Sequence, residues 1–176
     1  IEKWIDFAIE TGEPLSLVGL GGYAKTASTI NHISNKKVDG KPIKTICISL
    51  AQADWDTFFA PSPDGEGDEL KVQVLLHADL LSDEPKVIIF DESRRADKRS
   101  RQVLLEVMSE KTIAGIPIPN LLTVITLDNP GGTAEYLGVA GLDPAQGDRA
   151  FHVNVGIYDT PWKKWFESKF ENVDFK

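Results

Sequence analysis

Apolar residues along this chain recur with two different periods. Ile1, Trp4, Ile5, Ala8 and Ile9 follow an i, i+3, i+4 spacing, which predicts an amphipathic helix over residues 1–12 stopped by Gly12. Residues 15–18 form a short apolar run that breaks into a glycine-rich turn, and residues 24–34 resume a helical pattern. Residues 43–50 alternate as a strand does, after a turn at Asp39-Gly40. Residues 61–67 (PSPDGEG) read as a loop, and the mixed apolar stretch 70–81 reads as mostly helical. A buried strand is predicted at 87–90, then a helix at 98–110 with Val103, Leu104, Val107 and Met108 on one side. A small hairpin around Gly115 (112–118) and a second buried strand (121–126) follow. A short helix from an Asp-Pro cap (143–149), a strand (151–157) and a closing helix (161–170) complete the pattern.

Several of these strands are apolar on both faces, and they alternate with helices. That combination belongs to a parallel sheet covered on each side. The expected fold class is therefore α/β: a three-layer α/β/α sandwich with a mainly parallel five-stranded sheet. The sequence shows no internal repeat and no long linker, and 176 residues suffice for a single core, so one domain over residues 1–176 is expected.

Composition narrows the function. With 41% hydrophobic and 26% charged residues the chain has the balance of a soluble globular protein, and its apolar runs are far too short to span a bilayer. Residues 1–12 carry Glu2, Lys3, Asp6 and Glu10 at helical intervals, unlike a secretory signal, and a start at Ile1 leads us to expect residues upstream. Cys47 has no second cysteine to pair with, which fits a reducing, cytoplasmic setting. A net charge of −8 disfavours a nucleic-acid partner, since such binders carry a basic footprint. The local exception is Arg94, Arg95, Lys98, Arg99 and Arg101, which suits either an acidic partner surface or a solvated helix face.

The glycine-rich turn carries the first chemistry. Gly19, Leu20, Gly21, Gly22, Tyr23, Ala24, Lys25 and Thr26 follow a strand and open a helix, with Ala27 in the first turn. Successive backbone N–H groups and the helix dipole there favour an anion, and the glycines let the backbone approach it closely. Lys25 offers a mobile positive charge for β- and γ-phosphates, and the Thr26 hydroxyl a hard oxygen for magnesium. Ala24 departs from the generic phosphate loop, which has glycine before the lysine; a plain β–α turn with an incidental Lys-Thr remains the alternative.

Residues 86–92, KVIIFDE, end four apolar positions with two acids at the carboxyl end of a strand, where open α/β sheets bind ligands. Asp91 is the candidate to hold magnesium through water, and Glu92 the candidate to polarise the water attacking a γ-phosphate. The alternative use of this pair is to leave the core for solvent or to cap the next helix.

With both motifs in hand, the chain resembles the AAA+ ATPases of the MoxR-like branch. That branch's loop commonly reads G-x-P-G-x-A-K-T, so Ala24 matches and Gly21 stands where proline is usual. Residues 91–111, DESRRADKRSRQVLLEVMSEK, are similar to the branch's D-E-x-N-R-A motif and following helix, with Arg94 in place of asparagine. Residues 124–130, VITLDNP, resemble the sensor-1 strand, and 143–150, DPAQGDRA, resemble the x-x-A-x-x-D-R-F element with Ala150 for phenylalanine. The resemblance spans residues 13–158. It implies ATP and Mg2+ as the bound pair, Asn129 as the residue that orients water or touches the γ-phosphate, and Arg149 as an arginine finger acting on a neighbouring copy. A homo-oligomeric ring, a hexamer in this family, and a client protein of unknown identity follow from the same likeness. The family's small helical lid is expected to be mostly absent, as the chain stops at Lys176. Turn formation before Pro130, for Asn129, and an ion pair with Asp148 or Glu135, for Arg149, are the competing uses of those residues.

Two functions remain open on the sequence: an ATPase that remodels or activates a partner, and a nucleotide-binding switch or scaffold with little hydrolysis. His32, His77 and His152 lack zinc-site spacing. Trp162, Trp165 and Phe166 are expected to pack, and Asp54, Asp56 and the acids at 64–69 to be solvated.

Overall fold

The computed structural model describes residues 1–52, 59–62, 71–74, 78–131, 139–141 and 143–156. In chain order the elements are α1 (Glu2–Thr11), β1 (Leu15–Gly19), α2 (Lys25–Ser34), β2 (Lys37–Val38), β3 (Lys41–Pro42), β4 (Lys44–Ser49), β5 (Phe59–Ser62) and β6 (Lys71–Val74). A 3-10 turn (Ala78–Leu81), β7 (Lys86–Asp91) and a second 3-10 turn (Ser93–Arg95) lead into α3 (Lys98–Glu110). The chain continues through β8 (Thr112–Ile113), β9 (Ile116–Pro117), β10 (Leu121–Asp128), α4 (Pro144–Gly147) and β11 (Phe151–Val155).

Five strands form one sheet in the order β11-β1-β10-β7-β4, and every neighbouring pair is parallel. Alternation along each strand sends its side chains to two separate cores. Ile46, Ile48, Ile88, Phe90 and Val124 pack with Val103, Leu104, Val107 and Met108 of α3. Leu15, Leu17, Val87, Ile89, Ile125 and Leu127 pack with Ile5 and Ala8 of α1 and Ile33 of α2. Each of these side chains larger than alanine contributes roughly 1.5–3 kcal/mol by leaving water. Apolar residues on both faces therefore produce the expected three layers, an α/β fold around a five-stranded parallel sheet.

Asp97 caps α3, accepting from the amides of Arg99 and Ser100, and Asp143 caps α4 by accepting from Ala145. His32 Nε2 and Lys36 Nζ both reach Asp6, at 2.7 and 2.9 Å, which ties α2 to α1. The stretch 70–81 departs from the helical expectation. Its Lys71–Val74 segment is a strand, antiparallel to Phe59–Ser62, and its end is a 3-10 turn. The final strand stops at Val155, short of the expected 157. The closing helix at 161–170, His77, Asp54, Asp56, Glu135 and the acids at 64–69 lie outside the described residues. No helix among the described residues is long and apolar enough to cross a membrane.

At the amino edge of the sheet Lys86 is completely buried, and its Nζ donates to the carbonyls of Ser82 and Pro119, each at 2.5 Å. Lys44 beside it pairs with Asp79 at 2.7 Å and Glu84 at 3.1 Å.

Candidate functional site

Because all five strands run the same way, their carboxyl ends lie on one edge. Ser49 stands opposite Asp91, Asp91 opposite Leu127, and Val18 opposite Asp128. The turns that leave this edge enclose a cavity of about 500 Å3, lined by residues 21–27 together with Ser49, Asp91, Glu92, Leu127 and Asn129.

The turn after β1 owes its shape to a few positions. At Gly19 a Cβ would lie 2.6 Å from the Val155 carbonyl oxygen of the neighbouring strand, so the close approach of β1 to β11 excludes a side chain. Gly22 has φ +82°. Ala24 takes φ +51°, in the left-handed region where a methyl-bearing residue pays about 1–2 kcal/mol. That conformation is the physical reason glycine is usual at this point, and strain held in a ligand-facing turn is a recognised accompaniment of function.

Lys25 opens α2 and is buried. Its Nζ donates to the carbonyls of Gly19 (2.7 Å) and Leu20 (3.0 Å) and to Asn129 Oδ1 (3.1 Å). Burial pushes its ammonium pKa down, against the opposing pull of Asp91, Asp128 and Glu92. Gly19 and Leu20 thus hold Lys25 through their carbonyls instead of lining the cavity. Thr26 Oγ1 donates to Asp91 Oδ2 at 2.8 Å. Two hard oxygen donors, a hydroxyl and a carboxylate, meet here across two elements. Such a pair fits magnesium, which keeps waters and ligand oxygens in most of its coordination shell. No group of three metal-binding side chains occurs among the described residues, so any ion would depend on those outside oxygens.

Glu92 adopts φ +55°, and its amide donates to the Leu127 carbonyl at 2.8 Å and to Asp91 Oδ1 at 3.0 Å. Glu92 borders the cavity, and its carboxylate lies 3.8 Å from Arg95 Nε. Asp128, the next strand end, is 1% exposed. Burial raises its carboxyl pKa, opposed by hydrogen bonds from Ser93 and the Arg94 amide and by the Arg94 charge.

The structure therefore brings Lys25, Thr26, Asp91, Glu92 and Asn129 to one cavity, with residues 21–24 and Ala27 around them. Arg149 is elsewhere. It precedes the amino end of β11 and binds Ser109 Oγ in the last turn of α3 and the Ala145 carbonyl, the latter at 2.7 Å. Of the basic run, Arg95 faces Glu92, and Arg101 faces Asp143 at 3.6 Å. His152 binds the Gly147 carbonyl, and Cys47 is exposed on β4. Ser49 was not singled out by its residue type. Its place at the end of an alternating strand was the available signal. Asp128, Ser93 and Gln146 gave no such signal.

No family model matches the chain, and no curated protein matches it. Among solved structures it is similar to a candidate ATPase from Cytophaga hutchinsonii, with 22% sequence identity and a TM-score of 0.62. The likeness covers 99% of this chain but 51% of that one, so the chain spans about half the length of that protein. At this identity the likeness shows the fold.

Proposed function

We propose that this chain is the nucleotide-binding core of an AAA+ ATPase of the MoxR-like branch, which hydrolyses ATP and thereby remodels or activates a partner protein. What carries the reading is the convergence of Lys25, Thr26, Asp91, Glu92 and Asn129 on one cavity at the carboxyl edge of the sheet.

Amides of the turn before α2 cradle the β-phosphate, and Lys25 turns from its carbonyl acceptors to the β- and γ-phosphate oxygens. A charge already desolvated interacts strongly with an incoming anion. Thr26 and Asp91 would hold a magnesium ion, which when bound would neutralise charge on the phosphates. Glu92 accepts a proton from water as the water oxygen bonds to the γ-phosphorus. The bond from phosphorus to the bridging oxygen breaks, and ADP leaves with that electron pair. Asn129, released by Lys25, orients the same water.

Arg149 lies at the amino edge, so it serves a γ-phosphate only from a neighbouring copy. This supports a ring in which each subunit completes the next. It also favours a second reading for the isolated chain: a nucleotide-binding switch with little turnover, since the cavity's own wall contributes Lys25 as its cation.

Phosphate release by the wild type and by Glu92→Gln separates the two. An ATPase loses about a hundredfold in turnover while its ATP affinity stays within a few-fold. Equal rates leave the switch, and absence of ATP binding removes both.

A further inference from the structure

Behind the cavity three buried polar side chains form one connected set. Asp128 Oδ2 accepts from Ser93 Oγ at 2.7 Å, and its Oδ1 accepts from the Arg94 amide at 2.8 Å. Ser93 Oγ also accepts from Gln146 Nε2 at 3.0 Å. Ser93 is fully buried, and Asp128 and Gln146 are each 1% exposed. The Arg94 carbonyl adds one more anchor by accepting from the Ala140 amide at 3.3 Å.

All of these bonds converge on the turn that begins with Glu92. That turn needs holding, because Glu92 sits in the left-handed region, which a side-chain-bearing residue keeps only where its surroundings over-determine it. A buried carboxylate is costly to desolvate, and an apolar residue in its place would serve stability at least as well. Here the carboxylate spends both oxygens on residues 93 and 94, directly after the acid that borders the cavity. Gln146 braces the same hydroxyl from α4, a different element.

We propose that Asp128 and Gln146, acting through Ser93, are positioning residues that clamp the 92–95 turn and so aim Glu92 at the reacting water. The inference rests on the reading of Glu92 given above. The hydrogen bonds of the clamp join Asp128, Ser93, the Arg94 amide and Gln146 and do not reach Lys25 or Thr26, so its loss is felt chiefly in turnover.

The test uses the full chain and compares wild type, Asp128→Ala, Asp128→Asn, Ser93→Ala and Gln146→Leu. Three quantities are read: turnover at saturating Mg-ATP, Mg-ATP affinity by calorimetry, and hydrogen exchange of the Arg94 amide. Asp128→Ala is expected to lower turnover by about tenfold or more, with affinity within twofold and Arg94 exchange accelerated. Asp128→Asn keeps an acceptor for that amide and is expected to recover part of the rate. Ser93→Ala removes a single hydroxyl and carries the same expectation where Asp128→Ala fails to fold. Faster Arg94 exchange with unchanged turnover overturns the clamp, as does a parallel fall of turnover and affinity. Failure of the wild type to bind or hydrolyse Mg-ATP is a different result: it sinks the reading of the cavity, and the clamp with it.

Discussion

Two lysines are buried among the described residues, at opposite edges of the same sheet, and burial lowers the ammonium pKa of both. Lys86 donates to two main-chain carbonyls, Ser82 and Pro119, and so staples two connections together at the amino edge. Lys25 also has oxygen partners, but one of them is the Asn129 side chain, and it borders a cavity shared with Asp91 and Glu92. A buried charge is therefore no sign of a binding site in itself. What distinguishes Lys25 is that acids, hydroxyls and open volume meet beside it.

The sharpest way to break this comparison is Lys86→Ala. Removing the staple leaves two carbonyls without their donor and a void behind, so a loss of roughly 2–4 kcal/mol is expected in urea unfolding. The folded protein should keep its Mg-ATP affinity. A neutral result would mean that the amino-edge lysine is not structural.

Gly19→Ala probes the other edge. The added Cβ meets the Val155 carbonyl oxygen at 2.6 Å, and the backbone must shift at a cost of about 1–3 kcal/mol. Because the Gly19 carbonyl holds Lys25, Mg-ATP affinity should fall as well, which is the coupling Lys86 lacks.

Asp97→Ala removes the cap of α3 and should cost about 1 kcal/mol at neutral pH. The Ser100 hydroxyl and amide, with the Arg99 amide, hold the Asp97 carboxyl below its ordinary value of 3.8. Its contribution is therefore complete above that value and fades as pH falls through the lower folded one, so wild type and variant should converge in acid. A difference that persists below both values would locate the effect elsewhere.

The smallest effect concerns Ala24→Gly. Relief of the φ +51° strain outweighs the added chain entropy, and a gain of up to about 1 kcal/mol is expected in thermal unfolding. A loss would show that the loop is not strained.

Much of this was legible because it is local. Strands apolar on both faces, such as VIIF at 87–90, announced a covered parallel sheet; Lys25-Thr26 followed a glycine-rich turn after one strand, and Asp91-Glu92 stood at the end of another, where such sheets bind ligands. The failures were non-local. Lys71–Val74 reads KVQV, an alternation that favours a strand, but the pairing that makes it one is with Phe59–Ser62, earlier in the chain, and the apolar content of 70–81 alone points to a helix. Asp128 stands in the sequence only as part of VITLDNP; the meeting of β10, the 92–95 turn and α4 makes it a buried acceptor. Arg149 was named from a motif, and no local pattern places it at the edge away from the cavity.

The central claim is that the carboxyl-edge cavity accepts Mg-ATP through Lys25. Calorimetric titration of Mg-ATP into the wild type and Lys25→Ala tests it directly. The account predicts binding by the wild type and a loss of about a hundredfold in the variant, roughly 2.7 kcal/mol. Equal affinities, or a wild type that binds no Mg-ATP, would contradict it.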